Sequence, residues 1–145
     1  MKELQVWVNG TNIAKSNIGG VSSFETQTTS ILNRINDENI GNAYISGSIS
    51  IGDNVGIDLG IDVSSYDLES IVMYNYTDGS DNGANSLGLR LELLNSNDEI
   101  VFVTNEISEV KNYYRFNGDR KNDGITSITP STTDIIDDSG NTEFV

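Results

Sequence analysis

Between Val55 and Phe116 short apolar runs alternate with clusters of Asn, Asp, Ser and Gly, and this rhythm constrains the fold more than any other feature of the chain. The runs are Val55-Gly56-Ile57-Asp58-Leu59-Gly60, Leu68 to Tyr74, Leu87 to Leu94, Ile100-Val101-Phe102-Val103 and Tyr113 to Phe116. They are four to eight residues long, rich in β-branched or aromatic side chains, and bounded by residues that favour turns. No segment repeats its apolar residues at the helical period. The pattern predicts an all-β sandwich of antiparallel strands whose function lies in its loops.

The firmest local expectation is a hairpin over Leu87 to Val103. Leu89, Leu91 and Leu93 point to the core, Arg90 and Glu92 point out, and Asn95-Ser96-Asn97-Asp98 turns the chain before Ile100 and Phe102 return to the core. Ile57 and Val72 complete the expected core. The first strand is read over Leu4 to Val8, with Leu4, Val6 and Val8 on one face and Gln5 and Trp7 on the other, followed by a turn at Asn9-Gly10. From Asn12 to Thr29 isolated apolar anchors in a polar stretch indicate a long surface loop or short edge strands. Ile31 to Ile35 fits either one helical turn or a strand end. Ile45 to Ile51 alternates Ile and Gly with Ser, as a half-exposed strand does. The expected organisation is one domain over 1–117, with 118–145 as extra strands or an extended arm.

With 145 residues the chain is long enough for a two-sheet core. Its 22 acidic and 8 basic residues leave a net charge of -14, which repels phosphate backbones and anionic lipid, so no nucleic-acid or membrane-surface role is expected. The sequence contains no Cys and no His. That removes the usual zinc ligands, the Ser/His and Cys/His catalytic pairs and the commonest neutral-pH base. No apolar run is long enough to span a bilayer. Met1 to Gln5 leads into a strand pattern without the apolar core of a signal peptide, so another mode of export, assembly into a particle, or a sequence trimmed from a longer one is expected.

Ile35-Asn36-Asp37-Glu38-Asn39, Val55 to Gly60, Ile71-Val72-Met73-Tyr74-Asn75 and the strand around Leu89 to Leu94 follow one another in an order that resembles discoidin-like domains. These are also called coagulation-factor type C or galactose-binding-like domains; they include fucose-binding lectins and are related to modules of large viruses and surface proteins. The resemblance covers Leu4 to Phe116 and implies a jelly-roll β-sandwich of about eight strands with ligand loops gathered at one end. In the sugar-binding members the strand ending in Tyr-Asn continues with Arg-x-Asp. Here Tyr76 stands at that Arg and Asp78 matches the Asp. The family's His and second Arg have no counterpart, so the resemblance implies an inherited scaffold with an altered ligand.

The loop Asp78 to Asn85 gathers carboxylate, hydroxyl and amide oxygens with two glycines, an arrangement that hard cations favour. Asp78, Ser80 and Asn82 are its candidate Ca²⁺ ligands, although Leu89 stands where a closing Glu belongs, and a solvated turn is the alternative that the same residues favour. Asn36 and Asp37 lie where the resemblance implies a structural Ca²⁺ loop, with Glu38 replacing the usual Gly. Tyr44, Tyr76 and Trp7 are the aromatic candidates for stacking on sugar rings, with core packing an equally good account of Trp7 and of Tyr74. Tyr113-Tyr114 places one ring inside and one outside, the outer one expected to cover sheet surface. Asn9-Gly10-Thr11 and Asn75-Tyr76-Thr77 match the glycosylation sequon, which arises readily by chance in an Asn- and Thr-rich chain.

The carboxylates lie mostly in turns where water keeps them ionised, so glycosidase chemistry is not expected. The functional expectation is a non-catalytic binding module on a virion or extracellular surface. It recognises glycan or a neighbouring protein through Tyr76, Asp78, Asn82 and Asn85, with Ca²⁺ as the only candidate cofactor and self-association among its expected contacts. The alternative is a purely structural decoration or minor subunit of a capsid or other assembly.

Overall fold

The computed structural model of the protein describes residues 1–19, 22–25, 32–43, 50–65, 67–78 and 83–118. Among them are eight strands: β1 (Glu3–Val8), β2 (Thr11–Asn12), β3 (Ser22–Glu25), β4 (Val55–Asp58), β5 (Leu68–Tyr74), β6 (Glu92–Leu94), β7 (Ile100–Val103) and β8 (Tyr113–Asn117). Two 3₁₀ turns, Leu32–Ile35 and Ala84–Ser86, are the only helical elements of the described residues. Every pairing is antiparallel: a four-stranded sheet in the order β2-β1-β5-β8, and two-stranded sheets β3-β4 and β6-β7.

The expected turn at Asn9-Gly10 forms and closes a β1-β2 hairpin, because Asn9 and Gly10 adopt φ of 49° and 73°, the left-handed pair that a tight two-residue hairpin turn needs. β1 then pairs with β5 from Glu3 opposite Tyr74 to Val8 opposite Leu68, and β5 pairs with β8 from Ser70 opposite Asn117 to Tyr74 opposite Tyr113. That register aligns Leu4, Met73 and Tyr114, and beside them Val6, Ile71 and Phe116, on one face of the sheet. Val6, Leu68, Ile71 and Leu93 are buried together with Ala14 and Val63, and half-buried Ile57, Val101 and Phe102 pack against them. All three sheets thus contribute to one apolar cluster. A second cluster of Met73, Ile107 and Tyr114 continues it toward Leu91 and Phe116.

The β6-β7 hairpin is present but shorter than its sequence suggests. Leu93 is buried at 6% exposure and Leu91 is half-buried, whereas Leu89 is exposed. Gly88 sits at φ 81°, and the chain from there to Leu91 belongs to no ladder, so the alternation of Leu89, Leu91 and Leu93 does not translate into one face. Val72 is buried as expected, while Ile57 and Phe102 are half-buried. Ile100 does not return to the core. A bulge between Leu93 and Leu94 sets Ile100 opposite Leu94, turns Val101 and Phe102 toward the core and leaves Ile100 and Val103 outside. Arg90 and Glu92 are exposed as expected and pair with each other at 2.6 Å.

Of the stretch Ile31 to Ile35, Ile31 lies outside the described residues and Leu32–Ile35 form a helical turn, with Ile35 fully buried. Of the strand expected over Ile45 to Ile51, residues 45–49 lie outside the described residues, and Ile51 is fully exposed in a turn. Of the expected arm only Gly118 is described. It follows β8 and lies so close to the Leu68 carbonyl that a Cβ there would overlap it.

Candidate functional site

β5 delivers the chain into the loop that carries most of the candidate ligand residues. The first residue of that loop, Asn75, is 5% exposed. Its Nδ2 faces the Gly83 carbonyl at 3.2 Å, Ser86 Oγ at 3.1 Å, the Lys111 carbonyl at 3.1 Å and the Tyr114 hydroxyl at 3.5 Å. The two amide hydrogens are shared among these acceptors. Tyr114 sits at the centre of the network. Its hydroxyl lies 2.8 Å from Ser86 Oγ, donates to the Glu109 carbonyl at 2.9 Å and accepts from Lys111 N–H at 2.9 Å. One buried polar cluster thereby ties the start of the loop, its end at Gly83 to Ser86, and the segment before β8.

Gly83 is required at this anchor. Its φ is 81°, and a Cβ would stand 2.6 Å from Asn75 Nδ2 and 3.0 Å from Thr77 Cγ2. The result is a loop with fixed ends. Tyr76 follows Asn75 and is half-buried, while Asn85 precedes Ser86 and is exposed, so the anchor brings these two predicted ligand residues to the two ends of one loop. Thr77 Oγ1 donates to Asn112 Oδ1 at 3.2 Å. The Asp78 carboxylate is exposed and paired with the Lys2 ammonium at 2.9 Å. Ser80 and Asn82 lie outside the described residues, as does Tyr44. The burial of Asn75 also removes its sequon from consideration for glycosylation, because the amide that would carry the sugar is enclosed.

The second predicted site, Asn36 and Asp37, is built differently from its sequence reading. Asn36 is buried, and its Nδ2 donates to the Ala14 carbonyl at 2.9 Å. Asp37 Oδ1 accepts from Asn39 N–H at 2.9 Å and Oδ2 from Asn42 Nδ2 at 3.4 Å. Glu38 adopts φ 59°, the left-handed conformation that a Gly would take without strain, and its carboxylate pairs with Lys15. These contacts close a turn around the carboxylates.

The group that sequence reasoning missed here is Glu3. It is fully buried at the start of β1, on the sheet face opposite the main cluster. Oε1 accepts from Glu38 N–H at 3.2 Å, and Oε2 has no hydrogen-bond partner. Its pKa is raised to about 7: burial is the largest cause, the backbone hydrogen bond from Glu38 opposes it, the nearby Asp37 and Glu38 charges add to it, and a weaker backbone hydrogen bond from Asp37 opposes it. A calcium ion takes six to eight oxygen ligands. Among the described residues no three acidic side chains converge, and both Asp37 carboxylate oxygens accept hydrogen bonds within their own turn.

Comparison of the chain with protein-family models, with curated proteins and with solved structures finds no match to any of them.

Proposed function

We propose that this protein is a non-catalytic binding module of jelly-roll type, displayed on a virion or extracellular surface, whose recognition loop runs from Tyr76 to Asn85. The observation that carries this reading is the buried Asn75-Ser86-Tyr114 network. Enclosing polar side chains is costly unless their hydrogen bonds are satisfied, and here they are satisfied by groups at the two ends of one loop of polar sequence. A loop with fixed ends binds with less ordering cost than a free one. The arrangement of antiparallel sheets around a shared apolar cluster is what a jelly-roll needs, and so supports the scaffold.

Glycan is the ligand class that the loop chemistry suits. The half-buried Tyr76 ring offers a stacking surface, and the neutral Asn85 amide and the Lys2-paired Asp78 offer partners to hydroxyls. Binding without catalysis fits the ionisable groups. Among the described residues Glu3 is the carboxyl with a raised pKa, and it is enclosed beneath the 36–39 turn where no substrate reaches it. Screening the protein against an array of glycans tests the reading: saturable binding that Tyr76→Ala abolishes supports it, and a blank array overturns it.

One feature favours the structural reading as a second proposal. Leu94, Ile100 and Val103 are 44%, 52% and 49% exposed on the outer side of the β6-β7 hairpin, the kind of apolar surface that assembled subunits cover. Sedimentation velocity separates the two: a concentration-independent monomer sinks the subunit role, and an oligomer dispersed by Ile100→Asp supports it.

A further inference from the structure

Strand alternation divides β8 into two faces, Tyr114 and Phe116 toward the core and Tyr113, Arg115 and Asn117 away from it. Tyr113 is 57% exposed, and its ring lies 6.1 Å from that of Tyr74, its cross-strand neighbour, with the planes tilted by 36°. Arg115 is exposed two residues along the same face. A groove of about 470 Å³ runs beside them, lined by Lys111 to Phe116. The cations of the described residues are otherwise occupied: Lys2, Lys15, Arg90 and Lys111 pair with carboxylates, and Arg34 donates to the Ala43 carbonyl. Of the Lys and Arg side chains among the described residues, Arg115 alone has neither an ion pair nor a hydrogen bond.

We propose that this strip of β8 is a second binding site, for a saccharide that carries a carboxylate, with the sugar ring stacked on Tyr113 and its acid held by Arg115. Side chains two apart on a strand stand roughly 6.5–7 Å from one another. That is the span from the centre of a pyranose ring, through an exocyclic carboxylate, to a hydrogen-bonded guanidinium. The guanidinium fork matches a carboxylate in two parallel hydrogen bonds, and the exposed tyrosine face matches the C–H face of the sugar. An acidic peptide would satisfy Arg115 and leave the ring without a role. The net charge of -14 opposes any anion at long range, so discrimination rests on this one local cation. The site lies on the sheet, outside the Tyr76 to Asn85 loop, and stands whether or not that loop binds glycan.

Calorimetric titration with 3′-sialyllactose and with a glucuronic-acid-terminated disaccharide, against lactose as the neutral control, tests the site. At least one acidic probe is expected to bind ten or more times tighter than lactose. Arg115→Gln is expected to weaken that binding about 10- to 100-fold, the worth of a charge-assisted hydrogen bond pair. Tyr113→Ala weakens it at least tenfold, both variants keep the wild-type melting temperature, and Tyr76→Ala leaves it unchanged. The proposal is overturned if neither acid binds, if lactose binds equally, if Arg115→Gln has no effect, or if Tyr76→Ala removes the signal. Equal competition by an oligo-glutamate peptide overturns it in favour of a peptide ligand.

Discussion

Glu3 makes the stability of this fold depend on pH in a direction opposite to that of most carboxylates. Its pKa rises from 4.5 to about 7 on folding, chiefly because burial disfavours the charged form. The folded state therefore holds the proton more tightly than the unfolded chain. The contribution of Glu3 is fully present below pH 4.5 and declines as pH rises through 7, where the folded carboxyl ionises. A shift of this size corresponds to about 3 kcal/mol between those limits, and that is a ceiling, since any opening of the 36–39 turn admits water and relieves the charge. Glu3→Gln keeps the shape and removes the titration. The amide places an NH₂ in an enclosed site, which costs about 1–3 kcal/mol at every pH unless it finds an acceptor. The informative quantity is consequently the change in the wild-type-to-variant difference with pH, not its value at one pH. Between pH 5 and pH 8 that difference should move by about 2–3 kcal/mol in favour of Gln, equivalent to roughly 4–12 °C in melting temperature. Urea unfolding in EDTA at pH 5, 6, 7 and 8 measures it, with the fluorescence of Trp7, the single tryptophan, as the probe. Parallel stability curves for the two proteins would refute the reasoning.

Other perturbations follow from the packing. Leu93→Ala should destabilise by about 2–5 kcal/mol and exposed Leu89→Ala by under about 1, with Leu91→Ala between them; equal losses at all three would mean that the hairpin register described above is wrong. Arg90→Ala should change stability by less than about 0.5 kcal/mol, because its pair with Glu92 is at the surface. Gly83→Ala should cost more than about 2 kcal/mol, because a left-handed φ and a close approach to Asn75 coincide there; a neutral result in thermal unfolding would sink the anchor's geometry. Millimolar Ca²⁺ should leave the melting temperature as it is in EDTA, whereas a rise of several degrees would restore a cation to the Asp78 to Asn82 loop or to Asn36 and Asp37.

The strands were legible because two local signals agree, apolar alternation and turn chemistry. Asn9-Gly10 is the clearest case, where the residue pair dictates the backbone conformation directly. The β6-β7 hairpin was legible in outline, but alternation alone put Leu89 and Ile100 inside. Gly88 within the run was the available sign that the alternation breaks, since an isolated Gly in a strand pattern marks an irregularity. No local pattern gives the bulge at Leu93 and Leu94. The functional groups were less legible, because burial of a polar residue is decided by partners distant in sequence. Glu3 reads as an exposed strand end until residues 36–39 fold over it. Asn75 reads as the end of a strand, and its role depends on Gly83, Ser86, Lys111 and Tyr114 arriving from elsewhere in the chain. Tyr113-Tyr114 was read correctly as one ring out and one in, because that follows from strand period alone.

The central claim, recognition through the loop held by Asn75, is tested most directly by nuclear magnetic resonance with ¹⁵N-labelled protein and the strongest ligand from a glycan array. The account predicts saturable shifts of the backbone amides at 76–78 and 83–86, lost in Tyr76→Ala while that variant's melting temperature stays unchanged. Shifts confined to the β6-β7 hairpin, or none at all with every ligand tried, would contradict it.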